Sequence, residues 1–256
     1  MATQVRNRWD WTLSWQDPRK STVFDVSPTS LGSNGRPIPH GPTNISAFGI
    51  RLEIAPATGG GCIYAGPFTN ISVNLGPIAF EPVDGHNGLD YNPRCLSRDL
   101  SLVWSNQTKP TDVTKLISSY DDLGCFGALF EALGGVHAGE HFTMGGMGLD
   151  AFASTGDPAF YLHHAQVDRV WTIWQNLNAG NRTRQVYGIS TVFDGEFHSI
   201  CSTMKRSSVL TRRMLIVPPS PNVTLNTDID FGVLTPQQPA SSLVSSIDGP
   251  FCYMYI

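Results

Sequence analysis

The chain has 256 residues, 41% apolar and 15% charged, with 17 basic against 21 acidic side chains and a formal net charge of -4. That length and apolar share support a sizeable core and exclude a disordered chain. Scattered arginines on a slightly acidic protein argue against nucleic-acid binding, and no run of about eighteen apolar residues escapes charge, so no membrane span is expected.

In chain order, "MATQVRNRWDW" lacks the apolar centre of a signal peptide. Residues 1–60, rich in Pro, Gly, Ser and Trp, show no sustained period and read as ordered loop with short elements. "NISVNLGPIAFEPV" (Asn70–Val83) alternates briefly and predicts one or two strands. "TDVTKLISSYDDLGCFGALFEALGG" predicts a helix that breaks at Gly134-Gly135, with Cys125 a buried thiol inside it. "VHAGEHF" resumes as a short helix, and "TMGGMGLDAFASTG" is a loop. Asp157 then caps a helix with Pro158 in its first turn, running to about Leu177. Along it Val167, Trp171 and Trp174 fall near one stripe with His164. From Ser207 onward come Pro-rich loops and short extended pieces. With no repeat and no clean boundary, the expectation is one domain over 1–256, mainly α with long loops and a few short strands.

Five cysteines (Cys62, Cys95, Cys125, Cys201, Cys252) form no CxxC pair, which argues against a cysteine zinc site. Segment order suggests Cys62 with Cys95 and Cys201 with Cys252. Five Asn-x-Ser/Thr sequons, at Asn44, Asn70, Asn106, Asn181 and Asn222, join these pairs in favouring a secretory or extracellular glycoprotein.

His137 and His141 stand four apart. On a helix they lie about 40° apart around the axis, one turn above each other, and can share one ion. Alone such a pair is a weak signal. A third histidine on a capped helix downstream makes three imidazoles with an open fourth position, the pattern of a catalytic zinc or copper site. His164 is the preferred third ligand, because neighbours on a helix diverge by about 100° and His163 cannot easily face the same ion. His163 then reads as a packed ring beside the site, and Asp168 as a candidate orienting carboxylate. Glu140, between the paired ligands in "HAGEH", is the candidate general base. His40, His86 and His198 are isolated and read as surface or structural residues. Phe142, Met144, Met147, Phe160 and Tyr161 are candidates to line a pocket.

"DPAFYLHHAQVDRVWTIWQ" resembles the second copper-binding segment of tyrosinases, catechol oxidases and molluscan haemocyanins. "RWDWTLSWQDP" resembles the Trp-Asp-Trp segment that follows the first copper site in fungal tyrosinase-like proteins. "GPFTNISVNLGP", "NPRCLSRDL", "PPSPNVTL" and "GPFCYMY" extend the resemblance over essentially the whole chain. It implies a tyrosinase- or haemocyanin-like helical bundle, with His137, His141 and His164 as ligands of the second metal. Two departures stand out. The family's first copper site lies upstream of the Trp-Asp-Trp segment, so this chain is expected to lack that site and its helices. Many tyrosinases also carry Asn directly after the first of these histidines, implicated in handling the phenol proton, where this chain has Ala138.

Dioxygen chemistry between two coppers needs both sites, whereas one three-histidine site can act as a Lewis acid, for which zinc suits. A haemocyanin-like fungal protein with one metal site resembles the zinc-dependent cyclopenase of the quinolone alkaloid pathway. That resemblance implies a lyase converting a cyclopenin-type benzodiazepinedione epoxide to a viridicatin-type quinolone with loss of methyl isocyanate. The alternative is a copper polyphenol oxidase whose first site lies on sequence not included. A metallopeptidase built on the HAGEH helix and a non-enzymatic copper-binding or structural protein complete the readings. All but the last take a small molecule or peptide as partner. A bundle missing helices also suggests a homodimer, unless Trp9, Trp11 and Trp15 cover the exposed face.

Overall fold

Each of the two histidine-bearing helices is set by a local device at one end. The structure, a computed structural model, describes residues 7–47, 50–81, 88–188, 221–248 and 250–255. The expectations for His86, His198 and Cys201, and with them the Cys201–Cys252 pairing, lie outside the described residues. Two compact units divide the chain. One comprises Asn7–Thr114 and Glu131–Val167, and the other includes Lys115–Phe130 and Asp168 onward.

The first unit carries short antiparallel strands: β1 (Gly35–Pro37), β2 (Thr43–Ala47), β3 (Ile50–Ile54), β4 (Gly60–Ile63), β5 (Ser72–Val73), β6 (Phe80–Glu81) and β7 (Arg94–Cys95). β1 pairs with β4, β5 with β7, and β2 lies between β3 and β6. The register sets Ile45 opposite Leu52 and Thr43 opposite Ile54. The β2–β3 hairpin is among the short elements expected within the loop-rich residues 1–60, though the sequence did not mark it as strand. Its strands are too short for a sustained period, although Leu52 and Ile54 do alternate with charged residues. β5 and β6 are the strands expected within Asn70–Val83, and Cys62 is disulfide-bonded to Cys95 as segment order suggested.

The helices are α1 (Pro110–Ser119), α2 (Leu123–Phe130), α3 (Val136–Met144), α4 (Ala159–Asn176) and α5 (Ala179–Arg182). The single helix expected before Gly134-Gly135 is thus two. Asp122 starts α2 afresh, its carboxylate accepting the Cys125 amide at 2.9 Å, while the Tyr120 carbonyl accepts the Trp174 indole N–H at 2.7 Å. Both contacts compete with continuation of the helix.

α3 packs on the turn Trp104–Thr108, where Gly139 permits the approach. A Cβ there would come within 2.5 Å of the Gln107 Cβ. Ile45, Ile54, Phe142 and Leu149 bury together beneath it, flanked by Trp104 and Ala138. α4 begins as expected. The Asp157 carboxylate caps the Ala159 amide at 2.8 Å and is held by a fully buried, bidentate Arg98 through two 2.7 Å bonds. In the second unit Trp174 stacks on Phe126 at 4.3 Å, beneath the Arg182 guanidinium. β8 (Asp228–Ile229) and β9 (Gln238–Pro239) pair there as the expected extended pieces. No described helix is long and apolar enough to cross a membrane.

Candidate metal centre

Two helices of the first unit bring four imidazoles together. One ring nitrogen from each of His137, His141, His163 and His164 lies within 4.8 Å of the others. The expected ligands His137, His141 and His164 are all present, and His163 joins them. Glu140 is not in the convergent group.

The far nitrogen of each ring shows which nitrogen carries the lone pair, because a neutral imidazole has one donor and one acceptor. His137 donates Nδ1–H to the Glu131 carboxylate at 2.6 Å. His141 donates Nδ1–H to the Gly148 carbonyl at 3.1 Å. In a neutral ring bonded this way Nε2 carries the lone pair, the orientation that carboxylate or carbonyl partners usually give metal-bound histidines. His163 is the opposite case. Its Nδ1 accepts the Trp11 indole N–H at 3.1 Å, and a Trp nitrogen can only donate.

The Nε2 atoms of His141 and His164 stand 3.3 Å apart. Two nitrogens about 2.0–2.1 Å from one tetrahedral ion are separated by roughly that distance, so the residues fit a metal of this type. Phe160 stacks on the His164 ring at 4.0 Å between centroids, and Tyr161 beside it is exposed.

Loop geometry supplies the Gly148 carbonyl. α3 stops at Gly145 and Gly146, both at positive φ, where a Cβ would come within 2.3 Å of the Asp99 carbonyl oxygen and 2.4 Å of that of Ser97. Only glycine passes this turn without displacing the segment beneath it. On the other side, the Trp9 amide donates to the Leu162 carbonyl at 3.1 Å and Gln166 donates to Asp10 at 3.2 Å. Trp9 and Trp11 are thereby buried against the start of α4.

Burial shapes the charge of the cluster. His141 is pushed down to about 3, first by burial and then by repulsion from His137 and His164. His164 is lowered to about 4 by burial and by His137, with Glu131 pulling the other way. His163 falls well below its usual value, mainly through burial. All three are therefore neutral at pH 7, as metal ligands must be. Glu140 is fully buried, and burial raises it well above the usual carboxylate range, with the Thr108 side chain pulling the other way.

Sequence reasoning missed three contributors: Trp11, Glu131 and the Gly148 carbonyl. A carboxylate six residues before His137 was the one visible signal, and the Gly-Gly pair between them obscured it. Asp168 holds the hydroxyls of Tyr253 and Tyr255 at 2.6 and 2.5 Å. Of the suggested lining residues, Phe142, Met144 and Met147 are core, Phe160 packs on the His141 and His164 rings, and Tyr161 is exposed against Phe160. His40 lies apart, 3.4 Å from Asp99.

Comparison with known proteins gives a consistent neighbourhood. Residues 8–177 match the model of the common central domain of tyrosinase. Tyrosinase P of Aspergillus terreus is 34% identical over 96% of this chain and 66% of its own length. Oxidase hkm6 of Aspergillus hancockii is 33% identical, over 96% of this chain and 82% of the relative. Among solved structures, a polyphenol oxidase from Thermothelomyces thermophila superposes with a TM-score of 0.76 at 32% identity, covering 97% of this chain and 65% of that one. The chain thus spans about two thirds of the first curated relative and of that structure.

Proposed function

The chain belongs to the tyrosinase family, and from that premise we propose that it carries a metal site of an oxidase acting on hydroxylated aromatic small molecules. His137, His141 and His164 would hold one copper ion through Nε2. When bound, copper in this family supplies dioxygen binding and accepts electrons from the substrate. The 3.3 Å approach of the His141 and His164 Nε2 atoms, inside a cluster of four imidazoles, is the observation that carries the proposal. The printed activities of relatives, a polyphenol oxidase and an N-acetyl-6-hydroxytryptophan oxidase of Emericella nidulans, favour this substrate class.

The chain's own residues would do the following. Glu131 and the Gly148 carbonyl hold two rings with Nε2 inward. Phe160 and the exposed Tyr161 offer aromatic surface to a flat ring beside His164. Ala138 puts a methyl group, packed near Ile45 and Phe142, where many tyrosinases carry the amide that handles the phenol proton. This favours diphenols over monophenols as substrates. A pair of coppers would need a second set of ligands from outside the described residues.

A second reading keeps the zinc lyase of the cyclopenase type. Two observations favour it: the described residues contain one such cluster, and burial raises the fully buried Glu140, one turn from His137 on α3, well above the usual carboxylate range, which favours its protonated form. In that reading zinc would polarise a substrate carbonyl while Glu140 moves a proton.

Metal analysis and oxygen uptake separate the two. The proposal expects bound copper and, in protein that also supplies the second set of copper ligands, oxygen consumption with 4-tert-butylcatechol, much slower with the corresponding monophenol. Bound zinc, no oxygen uptake, and turnover of a cyclopenin would overturn it in favour of the lyase.

A further inference from the structure

His163 has a ring nitrogen in the histidine cluster but is wired in the opposite sense to its neighbours. It is completely buried, and its Nδ1 accepts the Trp11 indole N–H at 3.1 Å. An imidazole that accepts at Nδ1 cannot carry a proton there, so a neutral ring carries it on Nε2. That Nε2 is buried and has no hydrogen-bond partner among the described residues. The ring stands 4.6 Å from His141 and 5.0 Å from His164, centroid to centroid.

A buried donor without an acceptor costs about 1–3 kcal/mol, and such groups in native proteins usually meet a ligand or water. An Nε2–H offers no lone pair to a cation. It offers a hydrogen bond to an oxygen that arrives in the space the other rings face. We propose that Trp11 acts as a tautomer lock: it keeps His163 off the metal and aims its Nε2–H at the oxygen atom of whatever occupies the open coordination position, water or a substrate phenolate. His163 is then an oxyanion donor and Trp11 its positioning residue, separated from it by 152 positions in the sequence. The proposal rests on the metal site of the preceding section for its ligand and on the Trp11 contact for its direction.

Trp11 itself is fixed independently of the ring. The neighbouring Trp9 amide bonds the Leu162 carbonyl, and Asp10 accepts from Gln166, one turn from His163 on the same helix. The backbone that carries the indole is therefore tied to α4 by contacts of the two preceding residues.

Two experiments test this and fail separately. Nitrogen-15 NMR of the metal-free protein reads the tautomer directly. His163 is expected to show a protonated Nε2 and an unprotonated Nδ1, and Trp11→Phe is expected to erase that fixed pattern. An unprotonated Nε2 in the unaltered protein overturns the lock whether or not the chain binds metal. The second experiment loads zinc and titrates 4-nitrocatechol as an oxygen-donor probe. His163→Phe keeps a ring of similar size and is expected to retain one zinc per chain while binding the probe about ten- to a hundredfold more weakly, the range for a lost hydrogen bond to a charged group. His163→Asn, which keeps a side-chain N–H donor, is expected to recover part of that loss. Loss of zinc in a folded His163→Phe protein, or unchanged probe affinity, contradicts the proposal. Failure of the unaltered protein to bind zinc or copper removes the metal site and leaves the tautomer result standing.

Discussion

At the residue scale, the site is decided by what lies behind each imidazole. Glu131 fixes the His137 ring from a half-exposed position and competes with water for it. Replacing Glu131 with Gln should weaken metal binding by about ten- to a hundredfold, the usual cost of removing a partner behind a ligand. Competition titration of the folded protein against a chelator measures this, and unchanged affinity would show that Glu131 is only a surface ion pair.

The buried titrations have opposite signs. His141 and His164, lowered to about 3 and 4, stay neutral when folded while the unfolded chain takes up protons below about 6.5. Their contribution to metal-free stability is complete above that pH and is lost progressively as pH falls towards 4. Glu140 is raised, so the folded state keeps a proton that the unfolded chain releases above about 4.5. Its burden grows as pH rises. Glu140→Gln should therefore raise the Tm of metal-free protein at pH 7 by about 2 °C or more, a shift on the order of 1 kcal/mol. The gain should vanish below pH 4.5. Thermal melts across pH 4–8 test both trends, and an equal gain at every pH would assign the effect to packing.

At the element scale, α4 depends on its first residues. Asp157 caps the helix and also neutralises Arg98 in a fully buried pair. Asp157→Ala should cost about 3–5 kcal/mol, because it strands a buried guanidinium as well as removing a cap. Denaturant unfolding gives the number, and a loss under 1 kcal/mol would mean that water reaches Arg98. This helix was legible because its start signals are local: Asp157, Pro158 and the apolar run lie side by side. α3 and its two clustered histidines were legible for the same reason. The β2–β3 hairpin was not, because five-residue strands leave too little alternation to read. Nor was the Trp11–His163 contact, since no local pattern records a partner 152 residues away. The split between α1 and α2 shows the same limit. Tyr120 looks helical until its carbonyl is taken by Trp174.

At the scale of the whole molecule, the sequence suggested that a second copy would cover apolar surface beside the histidine helices. Trp9 and Trp11, each 1% exposed, already supply cover for the start of α4. Sedimentation of this chain at micromolar concentration should therefore give a species near 27.9 kDa. A stable dimer would show that the tryptophans cover too little of that face. The five sequon asparagines are all exposed, as glycosylation requires, and Cys62–Cys95 adds a disulfide.

The central claim is that three of the four clustered imidazoles, those of His137, His141 and His164, bind one ion. X-ray absorption at the edge of the bound metal tests it most directly, in the unaltered protein and in His163→Phe and His164→Phe. The account predicts three histidine nitrogens at about 2.0–2.1 Å if the ion is zinc. That shell should persist in His163→Phe and be lost, with most of the metal, in His164→Phe. Four histidine nitrogens in the unaltered protein, or a shell that survives His164→Phe and collapses in His163→Phe, would contradict it.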